Sequence, residues 1–232
     1  MDHPATARLG ILMLDTRFPR IPGDVGNPAT FDFPVSYKVV TGATPDAIVC
    51  ADPEPFVKAF IAVGQQLISQ GCTGIATTCG FLSLLRPRLA QALGVPVAAS
   101  ALEQVAQIQA ALPVDRVVGI VTISAASLTR DHLSVAGVPS DCPVVGTDGG
   151  SFSRAILASA PTLDVAAARA EVVQAARSLV AARPDVGAIV LECTNMPPYA
   201  AEVARATGRP VHTIVSYLKW FHDGLAPPVF PA

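Results

Sequence analysis

TGIATTCGFLSLLRPRLAQALGVPV, residues 73–97, and GAIVLECTNMPPYAAEVARATGRPV, residues 187–211, are the two stretches on which the fold is read. Each opens on a short apolar run that ends at a cysteine, continues through a segment of helical period, and closes on Gly-x-Pro-Val. The spacing is identical: Cys79 stands to Gly94 as Cys193 stands to Gly208, and Ile75 and Ile189 sit at matching offsets. Upstream, RLGILML at 8–14 echoes RVVGIVTI at 116–123, with an offset that a short insertion explains. Self-similarity of this kind reads as two copies of one structural unit.

Outward from these stretches, strands are expected over 9–14, 73–79, 95–100, 117–123, 187–193 and 209–214, and helices over 55–70, 81–93, 101–111, 164–183 and 196–207. Short β-branched runs alternating with longer Ala/Leu-rich segments predict βαβ units, and strands apolar throughout predict sheets covered on both faces. The fold class is therefore α/β, with two pseudo-symmetric parallel-sheet units. In such sheets the carboxyl ends of the strands open onto the ligand crevice, which places Cys79 and Cys193 at the functional edge of their own units. Packed edge to edge, the units bring the thiols into opposition across a cleft. A helix starting just after each cysteine is expected to aim its N–H groups at the sulfur, lower the thiol pKa and hold a substrate carboxylate.

Composition narrows the function classes. The chain has 232 residues, 51% of them hydrophobic, a mean hydropathy of +0.47 and a net charge of -2, enough apolar residues for a sizeable core and no basic footprint for nucleic acid. LGILML near the start is too short for a signal-peptide core or a membrane span, so a cytoplasmic protein with reduced cysteines and no membrane partner is expected. The five cysteines form no CxxC pair, and His3, His132, His212 and His222 are scattered, so no metal is expected. Lys38, Lys58 and Lys219 lie away from the crevice, which argues against pyridoxal phosphate. The chemistry is expected to need no cofactor.

Two opposed thiols suit one reaction in particular. A stereocentre next to a carboxylate is inverted when one group removes a proton from one face and a second delivers a proton to the other. At these residues the chain resembles the cofactor-independent aspartate/glutamate racemase superfamily, which includes amino-acid and hydantoin racemases, arylmalonate decarboxylase and maleate isomerase. The resemblance covers nearly the whole length. Cys193-Thr194 is similar to the superfamily's Cys-Thr after a buried strand, Cys79 occupies the place of the first-half cysteine, and Asp15-Thr16 is similar to the Asp-Ser after the first strand of glutamate racemases. Two departures stand out: Gly80 and Phe81 follow Cys79 where amino-acid racemases commonly have Asn-Thr, and Asn195 stands where glutamate racemases often have a histidine.

The resemblance implies Cys79 and Cys193 as the acid/base pair of a cofactor-independent racemase, by default of an aspartate- or glutamate-type amino acid. It also implies chain ends that cross, with the segment from residue 213 onward returning to a first unit of residues 1–97 and residues 98–212 forming the second unit. The substrate-binding candidates are Asp15, Thr16, Thr78, Gly80, Phe81, Thr122, Ser124, Thr194 and Asn195. Cys50, Cys72 and Cys142 read as packing residues, and Glu192, next to a thiol it is placed to tune, is expected on strand alternation to face away from it, at the surface or behind the residues that touch a ligand. The Pro/Gly-rich stretch 15–34 reads as a lid or specificity segment able to bring Arg17 or Arg20 to a carboxylate, and the Gly turn 146–156 as a weak anion site. The partner expected is a small carboxylic acid, with a homo-oligomer open. The alternatives are a dicarboxylate isomerase or decarboxylase, a non-catalytic binder of small acids, and a thiol redox switch.

Overall fold

A computed structural model describes residues 7–227. Its strands are β1 (Arg8–Leu14), β2 (Val35–Val40), β3 (Cys72–Thr77), β4 (Val97–Ala98), β5 (Val117–Thr122), β6 (Val144–Gly146), β7 (Val186–Leu191) and β8 (Val211–Thr213). The α-helices are α1 (Pro45–Val49), α2 (Val57–Ser69), α3 (Arg86–Leu93), α4 (Val105–Ala111), α5 (Arg130–Val135), α6 (Ser151–Leu157), α7 (Val165–Ala182), α8 (Ala200–Thr207) and α9 (Ile214–Leu225). They build two parallel four-stranded sheets, ordered β2-β1-β3-β4 and β6-β5-β7-β8.

The duplication is visible down to irregularities. The β1–β3 pairing slips register between Arg8 and Leu9, and the β5–β7 pairing slips at the equivalent place, between Val117 and Val118. A glycine follows each slip because a helix presses on the strand: a Cβ on Gly10 would lie 3.1 Å from Leu67 Cβ of α2, and one on Gly119 would lie 2.7 Å from Leu179 Cδ2 of α7. Helices α3 and α8 both stop at a left-handed glycine, Gly94 and Gly208, each with φ 66°, a conformation that L side chains rarely adopt.

The central strands are buried on both faces, as their continuous apolar sequences require: Leu9, Ile11, Leu12, Ile75 and Ala76 in one sheet and Val118, Ile120, Val121, Ile189 and Val190 in the other are inaccessible to solvent. α9 begins beside β8 and packs on β3 of the other sheet, where the missing side chain of Gly74 makes room for Phe221 and Leu225. His222 Nε2 bonds the carbonyl of Ala7 at 3.0 Å, and its ring stacks on Phe33 at 3.9 Å. Among the described residues no helix is long and apolar enough to cross a membrane.

Several elements depart from the sequence expectations. β2, β6, α1 and α5 were not expected, whereas the Gly turn of 146–156 does enter a helix, α6. The helical segments after the cysteines begin as 3-10 turns, Gly80–Leu85 and Pro197–Tyr199, and turn into α-helix only at Arg86 and Ala200. Pro197 and Pro198 open the second of these turns, whereas the first, GFLSLL, contains no proline.

Candidate active site

Cys79 lies two residues beyond the end of β3 in an extended conformation (φ -154°, ψ 119°), capping the 3-10 turn Gly80–Leu85. Cys193 lies two residues beyond β7, where its carbonyl accepts from Met196 N at 3.0 Å. Both thiols are almost wholly buried, and both border one narrow cavity of about 20 Å3. Thr16, Thr78, Gly80, Phe81, Thr194 and Asn195 border the same cavity.

One contact clamps the halves together beside the sulfurs, and a second anchors it. Thr194 Oγ1 donates to the carbonyl of Thr78 at 2.7 Å, so the residue after one cysteine is bonded to the residue before the other. Thr78 Oγ1 accepts in turn from Leu14 N at 3.0 Å, which ties β1 to the same point. Thr194→Val keeps the shape and removes the donor, leaving a buried carbonyl unpaired at a cost of about 1–3 kcal/mol. The variant should melt several degrees below the wild type by circular dichroism, and its turnover should fall because the two thiols are no longer held in register.

The electrostatics reverse the expectation of acidic thiols. Burial pushes Cys79 up to about 12, with the Glu192 carboxylate adding to the effect, although the N–H groups of Phe81 and Leu82 and the charge of Arg20 pull it back. Burial and Glu192 likewise raise Cys193 well above its ordinary value, opposed by the Asn195 N–H, and a charge on Cys79 raises it further. The N–H groups do point at the sulfurs, but desolvation is the larger effect here. All five cysteines are free thiols.

Glu192 is the residue that the sequence reading turned the wrong way. Strand alternation would send it away from Cys193, yet β7 ends at Leu191, and the carboxylate is fully buried and borders the thiol cavity. Thr122 Oγ1 donates to its Oε2 at 2.7 Å, while Oε1 has no hydrogen-bond partner. The carboxylate lies against Gly80: a Cβ there would overlap Glu192 Oε1 and sit 2.9 Å from Ser100 Oγ. The glycine after Cys79 is thus the space that Glu192 fills. Burial raises the Glu192 pKa to about 7, partly offset by the Thr122 hydroxyl.

The 15–34 stretch covers the cavity from the other side. Arg20 borders the cavity, pairs with the buried Asp24 at 2.9 Å, donates to Thr16 Oγ1 at 3.0 Å and stacks over Phe18. Its Nε is buried without a partner. Asp24, which no local signal marked in the sequence, accepts from Asn195 Nδ2 at 2.5 Å and so joins the loop to the residues after Cys193. Asn195 Oδ1 is 3.6 Å from the Cys193 sulfur.

Three candidates lie outside the cavity lining. Asp15 accepts from Gly42 N at 3.0 Å, a turn contact, and with the exposed Arg17 borders a separate open groove. Thr122 reaches the site only through Glu192. Ser124 bonds Asp148 at 2.8 Å and Ser127 at 3.1 Å, which fixes the turn after β5. The Gly turn of 146–156 is filled by protein carboxylates, since the Ser151 and Phe152 N–H groups donate to Glu171. Among the described residues no cluster of His, Cys, Asp and Glu has the makings of a metal site.

This geometry can be compared with known proteins. No family model matches the chain. It is 30% identical over 226 residues to a dimethylsulfoniopropionate lyase of Durusdinium sp. clade D, covering 94% of this chain and 75% of that one. A dimethylsulfoniopropionate lyase of Emiliania huxleyi is 31% identical over 222 residues, 90% of this chain and 57% of that one. The fold matches arylmalonate decarboxylase (TM-score 0.62, 17% identity, 97% and 95% of the two chains) and allantoin racemase from Klebsiella pneumoniae (0.63, 19%, 94% and 87%). It also matches a glutamate racemase from Bacillus anthracis (0.60, 12%, 95% and 83%). The chain belongs to the family of the dimethylsulfoniopropionate lyases and shares the fold of arylmalonate decarboxylase and of these racemases.

Proposed function

We propose that this enzyme is a lyase that removes the proton alpha to a small carboxylate with one of its cavity thiols and expels a neutral sulfide from the beta carbon. The substrate on this reading is dimethylsulfoniopropionate, and the products are dimethyl sulfide and acrylate. The observation that carries it is a pair of buried thiols on one narrow, mostly apolar cavity whose carboxylate, Glu192, keeps a free oxygen.

Elimination and racemisation share their first step, loss of the alpha proton. In elimination the C–H electron pair becomes the new double bond, the C–S pair leaves with sulfur, and the proton stays on the thiol. The walls support the elimination reading. Leu14, Phe18, Val49, Phe81 and Ile123 border the cavity, and such walls suit the methyl groups of a sulfonium, which donates no hydrogen bonds. An alpha-ammonium group needs several acceptors, and the pair after Cys79 is Gly80-Phe81 rather than two polar side chains. The buried Nε of Arg20 is a donor suited to the substrate carboxylate.

Because the base must start as thiolate and both thiols are raised, kcat/KM should climb with pH from 7 to 9. The test is headspace gas chromatography: dimethyl sulfide and acrylate should form in equal amounts from dimethylsulfoniopropionate. The second reading, an amino-acid racemase, is favoured by the two thiols on one cavity. It predicts no sulfide, but deuterium entering the alpha position of both enantiomers of an amino acid in heavy water.

A further inference from the structure

Glu192 carries a consequence that the reaction above does not by itself require. Its carboxylate is inaccessible to solvent, one oxygen is held by Thr122, and the other lies against Gly80 with no hydrogen-bond partner, in a residue that borders the cavity. The cation beside the cavity, Arg20, is already matched by Asp24. Gly80 lets the carboxylate lie flat against the backbone next to Cys79, while its own backbone runs directly into Cys193. A rigid buried carboxylate with a free oxygen and no counter-ion is costly to keep, and it is satisfied when a bound molecule brings a positive charge.

We propose that Glu192 is the cation seat of the cavity, its free oxygen pairing with the onium centre of the substrate and restricting the enzyme to small carboxylates that carry a fixed positive charge on the beta carbon. This inference rests on the elimination reading and names the substrate class of that same site. The pKa of about 7 agrees with it, since an approaching cation converts such a group fully to its anion. Fixed geometry matters as much as charge. Thr122 prevents the carboxylate from swinging away, and the absence of a side chain at residue 80 leaves it one position. The same charge assists the chemistry: a substrate cation placed beside Glu192 offsets the part of the rise in both thiols that comes from that carboxylate, burial being the larger part.

The experiment compares two ligands of nearly equal shape, dimethylsulfoniopropionate and its carbon isostere 4-methylpentanoate, by calorimetry. It uses the Cys79→Ser/Cys193→Ser protein, in which no thiol turns the substrate over. The sulfonium should bind at least about 30-fold more tightly than the isostere. Adding Glu192→Gln should reduce that preference to within about threefold while leaving 4-methylpentanoate binding unchanged, which also reports an intact fold. Equal binding of the two ligands in the presence of Glu192, or a preference that survives Glu192→Gln, overturns the proposal. Should Glu192→Gln bind neither ligand, Glu192→Asp decides: a kept preference supports the cation seat and a lost one overturns it. Failure of the elimination reading looks different, because the wild type would then release no dimethyl sulfide whatever its ligand preference.

Discussion

Alanine in place of Cys79 and of Cys193 is expected to give two unequal losses of dimethyl sulfide release. Replacing the thiol that takes the alpha proton should lower kcat/KM by about 10^3–10^4-fold, the usual contribution of a positioned general base at the upper end of its range. Replacing the other should cost only about tenfold, because elimination never returns a proton to the opposite face of carbon. Racemisation makes the contrary demand, since each thiol is the base for one enantiomer and the acid for its mirror image, and both losses would then be equally large. Neither substitution should unfold the protein. Each removes one small buried sulfur from a well-packed wall, at about 1 kcal/mol, which in a chain of this size lowers the melting temperature by roughly 2–4 °C. Two equal and large losses would move the assignment to racemase, and two small ones would remove the thiols from the chemistry.

Gly80→Ala is the second substitution with a large expected effect. The added Cβ overlaps Glu192 Oε1 and crowds Ser100 Oγ, and both neighbours are fully buried, so neither can retreat into solvent. Overpacking of this kind costs about 1–3 kcal/mol, or roughly 2–12 °C in melting temperature. The catalytic loss should be larger than the loss of stability, at least about 100-fold, because relief comes only by moving the carboxylate or the backbone that carries Cys79. A double variant separates clash from general damage. Glu192→Ala empties the contested space, so Gly80→Ala/Glu192→Ala should melt above Gly80→Ala alone, a coupling that independent sites do not show. Simple additivity in that cycle would mean that the carboxylate and the glycine are not in contact.

The repeat, the parallel sheets and the two thiols were legible in the sequence because each rests on local pattern: apolar runs of fixed length, glycines at helix ends, and identical spacing in both halves. β2 was not, since its half-exposed residues Val35–Val39 break the apolar run expected of a covered strand. α-Helix starts were placed too early because the chain after each cysteine first winds as a 3-10 turn, Gly80–Leu85 and Pro197–Tyr199. Within the site, the misses have one physical origin. Glu192 and Asp24 acquire their roles from partners far away in the chain, 70 residues for Glu192 with Thr122 and 171 for Asp24 with Asn195. Asp15 shows the reverse: a residue at the expected position that a nearby turn uses up at Gly42.

Superposing the repeats residue by residue pairs Thr78 with Glu192 and Gly80 with Thr194 on either side of the matched cysteines. The ancestral symmetry survives in the main chain and in sulfur but has been broken in every flanking side chain. A substrate entering this cavity meets one acidic wall and one hydroxyl wall, so its two faces experience different potentials. Such a chamber has a direction built into it, suited to sending a reaction one way, with the charged end of the molecule told apart from the other before any bond is touched.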